Sequence, residues 1–164
     1  WLGAGVACLR LNQLEDAEEA LQEANLLDHR NATIWGYLSL LSLMHGEDRL
    51  EHANKTLEQA LRFELDDPVL LRELGVSYMA IDRLEVAESL FRQSLAQEGG
   101  NPRTRRMLAD VLAAQNMGAA AVEDYKTVIF DASADEEEKQ EAFSNCVALL
   151  KKLGRQDEID TIAY

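Results

Sequence analysis

Apolar residues recur at three- and four-residue spacing along nearly the whole chain, and no stretch alternates polar with apolar residues long enough to make a strand. The pattern predicts an all-α protein. A small residue marks the middle of each acidic helix: Ala17 in "LEDAEEAL", Ala53 in "LEHANKTL", Ala87 in "LEVAESLF" and Ala121 in "AAAVEDYK". Neighbouring members lie 36, 34 and 34 residues apart. Four positions on stand Leu21, Leu57, Phe91 and Tyr125, and seven positions on Ala24, Ala60, Ser94 and Val128. Positions i, i+4 and i+7 share one helix face, and small residues there let a second helix come close.

A second pattern precedes each of these helices. Trp1-x-x-Ala4-Gly5-x-x-Cys8, Trp35-x-x-Leu38-Ser39-x-x-Ser42, Leu71-x-x-Leu74-Gly75-x-x-Tyr78 and Arg105-x-x-Leu108-Ala109-x-x-Leu112 share one spacing. A fifth copy, Phe143-x-x-Cys146-Val147-x-x-Leu150, precedes Gly154 and "RQDEIDTIA", where Ile159 takes the place of the alanine. About five helical hairpins follow, with repeats at 1–30, 31–66, 67–100, 101–134 and 135–164. Asn31, Asp67, Asn101 and Asp135 stand one residue before a first helix, where an Asx side chain accepts from a free backbone N–H. Pro68 and Pro102 then fall at the first helical position, where a missing N–H costs nothing. Two extra residues in "HGEDRLEHA" belong in a turn. The 38-residue step from Ala121 to Ile159 predicts a longer helix after Asp135, with the acidic run to Glu138 as its first turn.

These residues resemble tetratricopeptide (TPR) repeats, whose W-x-x-L-G-x-x-Y…A-x-x-x-F pattern recurs every 34 residues. The resemblance covers essentially the whole chain, although the proline that closes each TPR repeat is missing. It implies an α-solenoid forming a right-handed superhelix, with first helices lining a concave surface. The inward positions it assigns include Leu2, Val6, Gly36, Tyr37, Leu40, Val69, Arg72, Val76 and Met79. That surface would be mostly apolar, a groove for an amphipathic helix or apolar peptide. The carboxylate clamp of some TPR domains is rejected, since Leu2, Val6, Tyr37, Val69 and Glu73 occupy the clamp positions.

Charge narrows the partners. A net charge of -14 and a pI near 4.5 argue against nucleic acid. The longest stretch without Asp, Glu, Lys or Arg, Asn31 to Gly46, is too short for a membrane span, for which about 20 apolar residues are needed. Cys8 and Cys146 belong to no Cys/His cluster, so reduced thiols in a cytoplasmic setting are expected, with no zinc site or disulfide framework. His29, His45 and His52 lack metal-ligand spacing and are expected on the solvated surface. No nucleotide-binding or hydrolase motif occurs, so neither an enzyme nor a cofactor is expected. The chain begins at Trp1 with no initiator methionine and reads as starting inside a helix, as a piece of a longer protein would.

In "NPRTRRML" three arginines stand within four positions. Arg105 fills a slot held elsewhere by Trp, Leu or Phe, so its stem is expected to pack while its guanidinium reaches solvent or an acid. Arg103 and Arg106 remain on the inner face. They either pair with local carboxylates or form a cationic end to the groove that meets an acidic residue of a peptide.

The first forty or so residues, through "WLGAGVA", "AEEALQEAN" and "NATIWGYLSL", also resemble the C-terminal TPR segment of a cilia- and flagella-associated axonemal protein family. That resemblance implies a non-catalytic part of the axoneme near the base of outer dynein arms, with dynein-arm or doublet-associated proteins as partners. The expected function is a protein–protein interaction scaffold, with contacts at Leu2, Val6, Leu40, Val76 and Met79 and polar register from Arg72, Arg103 and Arg106. The alternative is a self-assembly module stacking through its terminal repeats.

Overall fold

The computed structural model describes residues 1–162, which form ten α-helices and no strand among the described residues. Contacts divide the chain into two compact units, Trp1–Tyr78 and the remainder from Met79. The boundary falls within a helix of the third repeat.

The first unit holds α1 (Leu2–Arg10), α2 (Leu14–Leu27), α3 (Ala32–Met44), α4 (Leu50–Arg62) and most of α5 (Pro68–Ala80). Its main apolar cluster joins Leu9, Ala17, Leu21, Ala24, Ile34, Leu38 and Leu41, with Leu2, Cys8, Leu14, Trp35 and Tyr37 packed at the edge. The small slots set how near helices approach. A Cβ on Gly5 would lie 2.7 Å from Leu21 Cγ, so α2 packs directly on the α1 backbone. In the matching slot of α3, the buried Ser39 hydroxyl donates to the Ala53 carbonyl at 2.9 Å, so the polar atom that closeness buries is satisfied.

The two extra residues of the second repeat do lie in its turn. After Gly46, at φ 104°, Glu47–Arg49 forms a 3-10 helix. From there Arg49 reaches back one repeat to bond both oxygens of Glu18 at 2.8 Å.

The second unit holds α6 (Leu84–Glu98), α7 (Pro102–Ala114), α8 (Gly118–Ile129), α9 (Glu136–Lys152) and α10 (Ile159–Ile162). Ala87, Phe91 and Ser94 are buried, as are Ala121, Tyr125 and Val128 one repeat later. The α9 helix has 17 residues where α7 has 13, and Glu136, Glu137 and Glu138 form its first turn.

All four predicted caps are present. Asn31 accepts from the N–H groups of Thr33 and Ile34, Asp67 from Val69 and Leu70, Asn101 from Thr104, and Asp135 from Glu138, at 2.8–3.3 Å. Within the hairpins a left-handed residue makes each turn: Asn12, Gly46, Asp82, Asn116 and Gly154. Gly takes this conformation freely, and Asn and Asp more readily than other side chains.

Candidate functional site

The expected inner-face residues do not all face solvent. In α1, Leu2 and Val6 are half-buried one turn apart, and Leu2 leans on the apolar cluster. In α3, Leu40 is only 7% exposed, so it belongs to the core and offers no surface to a partner. The reason is that α3 is apolar around most of its circumference: seven of its thirteen residues are buried, and such a helix is enclosed by its neighbours. Gly36 is buried as well, because Leu70 occupies the space beside it; a Cβ there would lie 2.7 Å from Leu70 Cδ2.

The open apolar positions are on α5. Val69 is 45% exposed and Val76 36%, and seven residues apart they share a face. Arg72 and Met79, three residues after each valine, are half-buried. The opposite side of α5 is closed, with Leu70, Leu71, Leu74 and Tyr78 buried.

A polar crossing interrupts this surface. Arg10, at the end of α1, reaches Glu73 of α5 at 2.7 Å. Glu73 lies between Val69 and Val76 on the valine face, at i+4 from the first and i−3 from the second. Tyr37 of α3 stands by this pair, and its phenol is pushed above the ordinary value of 10.0, first by burial and then by the Asp67 and Glu73 carboxylates. The inner surface of the first unit is therefore mixed, with an ion pair across a face that was expected to be mostly apolar. The spacing Leu2, Val6, Arg10 was available as a signal; nothing local pairs Arg10 with a residue 63 positions on.

The three arginines of α7 separate in a different way. Arg105 meets Asp124 at 3.1 Å, as expected for a packed stem with a paired head. Arg106 is 13% exposed and bonds Asp110 at 3.0 Å, Glu138 at 2.6 Å and Glu141 at 2.9 Å. Arg103 lies 3.6 Å from the same Glu138. Arg106 therefore pairs with local carboxylates, because α9 presents Glu138 and Glu141 to its guanidinium, while the Arg103 side chain stays 63% exposed. Asp110 also accepts from the Tyr125 hydroxyl and from Asn145, so one cluster joins α7, α8 and α9. Burial pushes the Tyr125 phenol far up, and its hydrogen bond to Asp110 pushes it further.

The histidines divide likewise. His29 is exposed, and its carbonyl accepts from the Trp35 indole. His52 is exposed with its Nδ1 2.8 Å from the buried Ser42 hydroxyl. His45 departs from expectation: it is half-buried, with Nε2 3.6 Å from Glu18, since the turn after α3 folds back onto α2. Among the described residues no three His, Cys, Asp or Glu side chains gather as metal ligands, and no helix is long and apolar enough to cross a membrane. A surface cleft in the second unit, about 360 Å3, is lined by Ile129, Glu136, Lys139, Gln140, Phe143 and Ile162.

With this geometry in place, residues 1–144 match the family model of the cilia and flagella-associated protein 70 C-terminal domain. The chain belongs to this family. Over 74 residues it is 43% identical to cilia- and flagella-associated protein 70 of Macaca fascicularis and of Homo sapiens, which is 45% of this chain but 7% and 6% of those proteins. The chain thus spans a small part of the relatives it matches. A crystal structure of MamA superposes with a TM-score of 0.75 at 16% identity, covering 98% of this chain and 85% of that one. A thermophilic TPR protein of Thermus thermophilus gives 0.65 at 21% identity, covering 85% and 76%. These likenesses show the fold alone: an all-α solenoid-class fold of TPR-type repeats, as the resemblance implied.

For a member of the cilia and flagella-associated protein 70 C-terminal domain family, the candidate surface comes down to the valine face of α5 with the Arg10–Glu73 pair. Sequence reasoning named both valines and missed the ion pair as part of that face.

Proposed function

We propose that the chain is a non-catalytic interaction scaffold that docks an amphipathic helix of a protein partner on the α5 face. The observation that carries this reading is the pair Val69 and Val76, exposed at one-face spacing on a helix whose other side is closed. Such faces are used to take the apolar stripe of another helix. Charge selects the partner: residues 1–78 hold 6 Lys and Arg against 14 Asp and Glu, a net charge of -8, so the docked helix carries basic residues along its flanks. Membership of a cilia and flagella-associated family supports an axonemal setting, with dynein-arm or doublet-associated proteins as the partner class.

Cross-linking of the folded chain in axonemal extract, with the linked residues mapped, tests this reading. Basic partner peptides should cross-link beside α5, and a folded Val69→Asp plus Val76→Asp variant should lose them. Cross-links only between copies of the chain would favour self-assembly instead. Links that persist in the double variant would remove α5 as the docking face.

A further inference from the structure

Of the twelve Ser and Thr residues of the chain, eleven lie within α-helices and one, Ser133, does not. It stands in the turn between α8 and α9 and is exposed, with exposed Ala132 before it. Four acids follow at positions +2 to +5: Asp135, Glu136, Glu137 and Glu138. No other Ser or Thr of the chain has an acid three positions on. The Ser-x-x-Glu spacing can also open a helix as a capping box. Here Asp135 is the cap, so Glu136 is not spent on capping Ser133.

We infer that Ser133 is a phosphorylation site for a protein kinase that recognises acidic residues C-terminal to its acceptor. A kinase must place the acceptor hydroxyl in line with the γ-phosphoryl group of ATP, which a hydroxyl packed along a helix resists and one on an exposed turn permits. In the transfer, Ser133 Oγ bonds the γ-phosphorus of magnesium ATP, and the bond from that phosphorus to the β–γ bridging oxygen breaks. ADP leaves, and the hydroxyl proton passes to the kinase's carboxylate base and then to solvent.

The change is not silent in this structure. The Ser133 hydroxyl donates to Asp131 at 2.7 Å, and its backbone N–H donates to the same oxygen at 2.8 Å. These bonds hold the Asp131 carboxyl below its ordinary range, the hydroxyl bond first, with smaller help from Lys139 and Arg105. A phosphate removes the hydroxyl donor and adds a charge of roughly -1.5 to -2 beside an acidic turn. Repulsion from Asp131 and the α9 carboxylates then loosens the turn, and Lys139 and Arg105 are the nearby cations that can receive the phosphate.

The test treats the folded full chain with an acidic-directed Ser/Thr kinase and magnesium ATP, read by intact mass and peptide mapping. One phosphoryl group should appear, on Ser133. Ser133→Ala should abolish it, Ser133→Thr should restore it, and Glu136→Lys should slow it about tenfold with unchanged helical content. Modification of another residue in its place, no modification of the folded chain, or an unaffected rate in Glu136→Lys would each overturn the inference.

Discussion

The two units build the same hairpin motif but join its copies with different chemistry. In the first, α1, α2 and α3 meet through the apolar cluster of Leu9, Leu21, Ile34 and Leu41, and charge crosses between repeats as separate pairs, Arg49 with Glu18 and Arg10 with Glu73. In the second, α7, α8 and α9 meet through an apolar core and also through one charged cluster centred on Arg106 and Asp110. Apolar packing is nearly indifferent to salt, whereas partly exposed ion pairs are screened by it. A repeat period therefore fixes where helices meet, and leaves open what holds them.

The largest effect should come from the apolar side. Leu41→Ala, at a core position 2% exposed, should cost about 2–5 kcal/mol in denaturant unfolding, with the same loss at low and high salt. Arg106→Met leaves Asp110, Glu138 and Glu141 without their shared cation. Because the cluster is partly wet, the loss should be about 2 kcal/mol, below that of a fully buried pair. It should shrink in 1 M salt, where the Debye length is about 3 Å. A penalty independent of salt would refute the contrast between the units.

Tyr125→Phe removes a hydroxyl donor from Asp110 and should cost about 1.5 kcal/mol near neutral pH. Its pH dependence is more telling. A phenol whose folded pKa is raised contributes stability that is complete below the unfolded value of 10.0 and is lost as pH rises above it. Alkaline unfolding of the parent should thus begin above pH 10.0, and Tyr125→Phe should flatten that decline. The smallest effect is expected where the units are alike. Asp135→Ala and Asn31→Ala each remove one cap and should cost about 1 kcal/mol, equally in both units, by thermal unfolding.

What could be read in the sequence was what is local. A cap and its N–H partners lie within three residues, so Asn31, Asp67, Asn101 and Asp135 identified themselves. The small residues at Ala17, Ala53, Ala87 and Ala121 repeat at fixed intervals, and all four are fully buried. The turn signal at Asn12, Asp82 and Asn116 was equally local and went unused. The candidate site was less legible because its outcome depends on residues far along the chain. Arg106 lies 32 positions before Glu138, Arg10 63 before Glu73, and His45 packs on Glu18 from the preceding repeat. Leu40 shows a different limit. Family register placed it on the inner face, but α3 has too many apolar residues for that face to stay open.

The 3-10 segment Glu47–Arg49 bears on how such repeats tolerate length variation. A two-residue insertion would ordinarily be an idle bulge that drift or a designer could trim back to the 34-residue consensus. Here the surplus, Glu47 and Asp48, sets where the next residue, Arg49, begins its reach to Glu18, so restoring the consensus length would shift that fastening to the previous repeat. Irregular length in a repeat array can thus be a gain of cross-repeat connection, and alignment to a consensus would score it as noise.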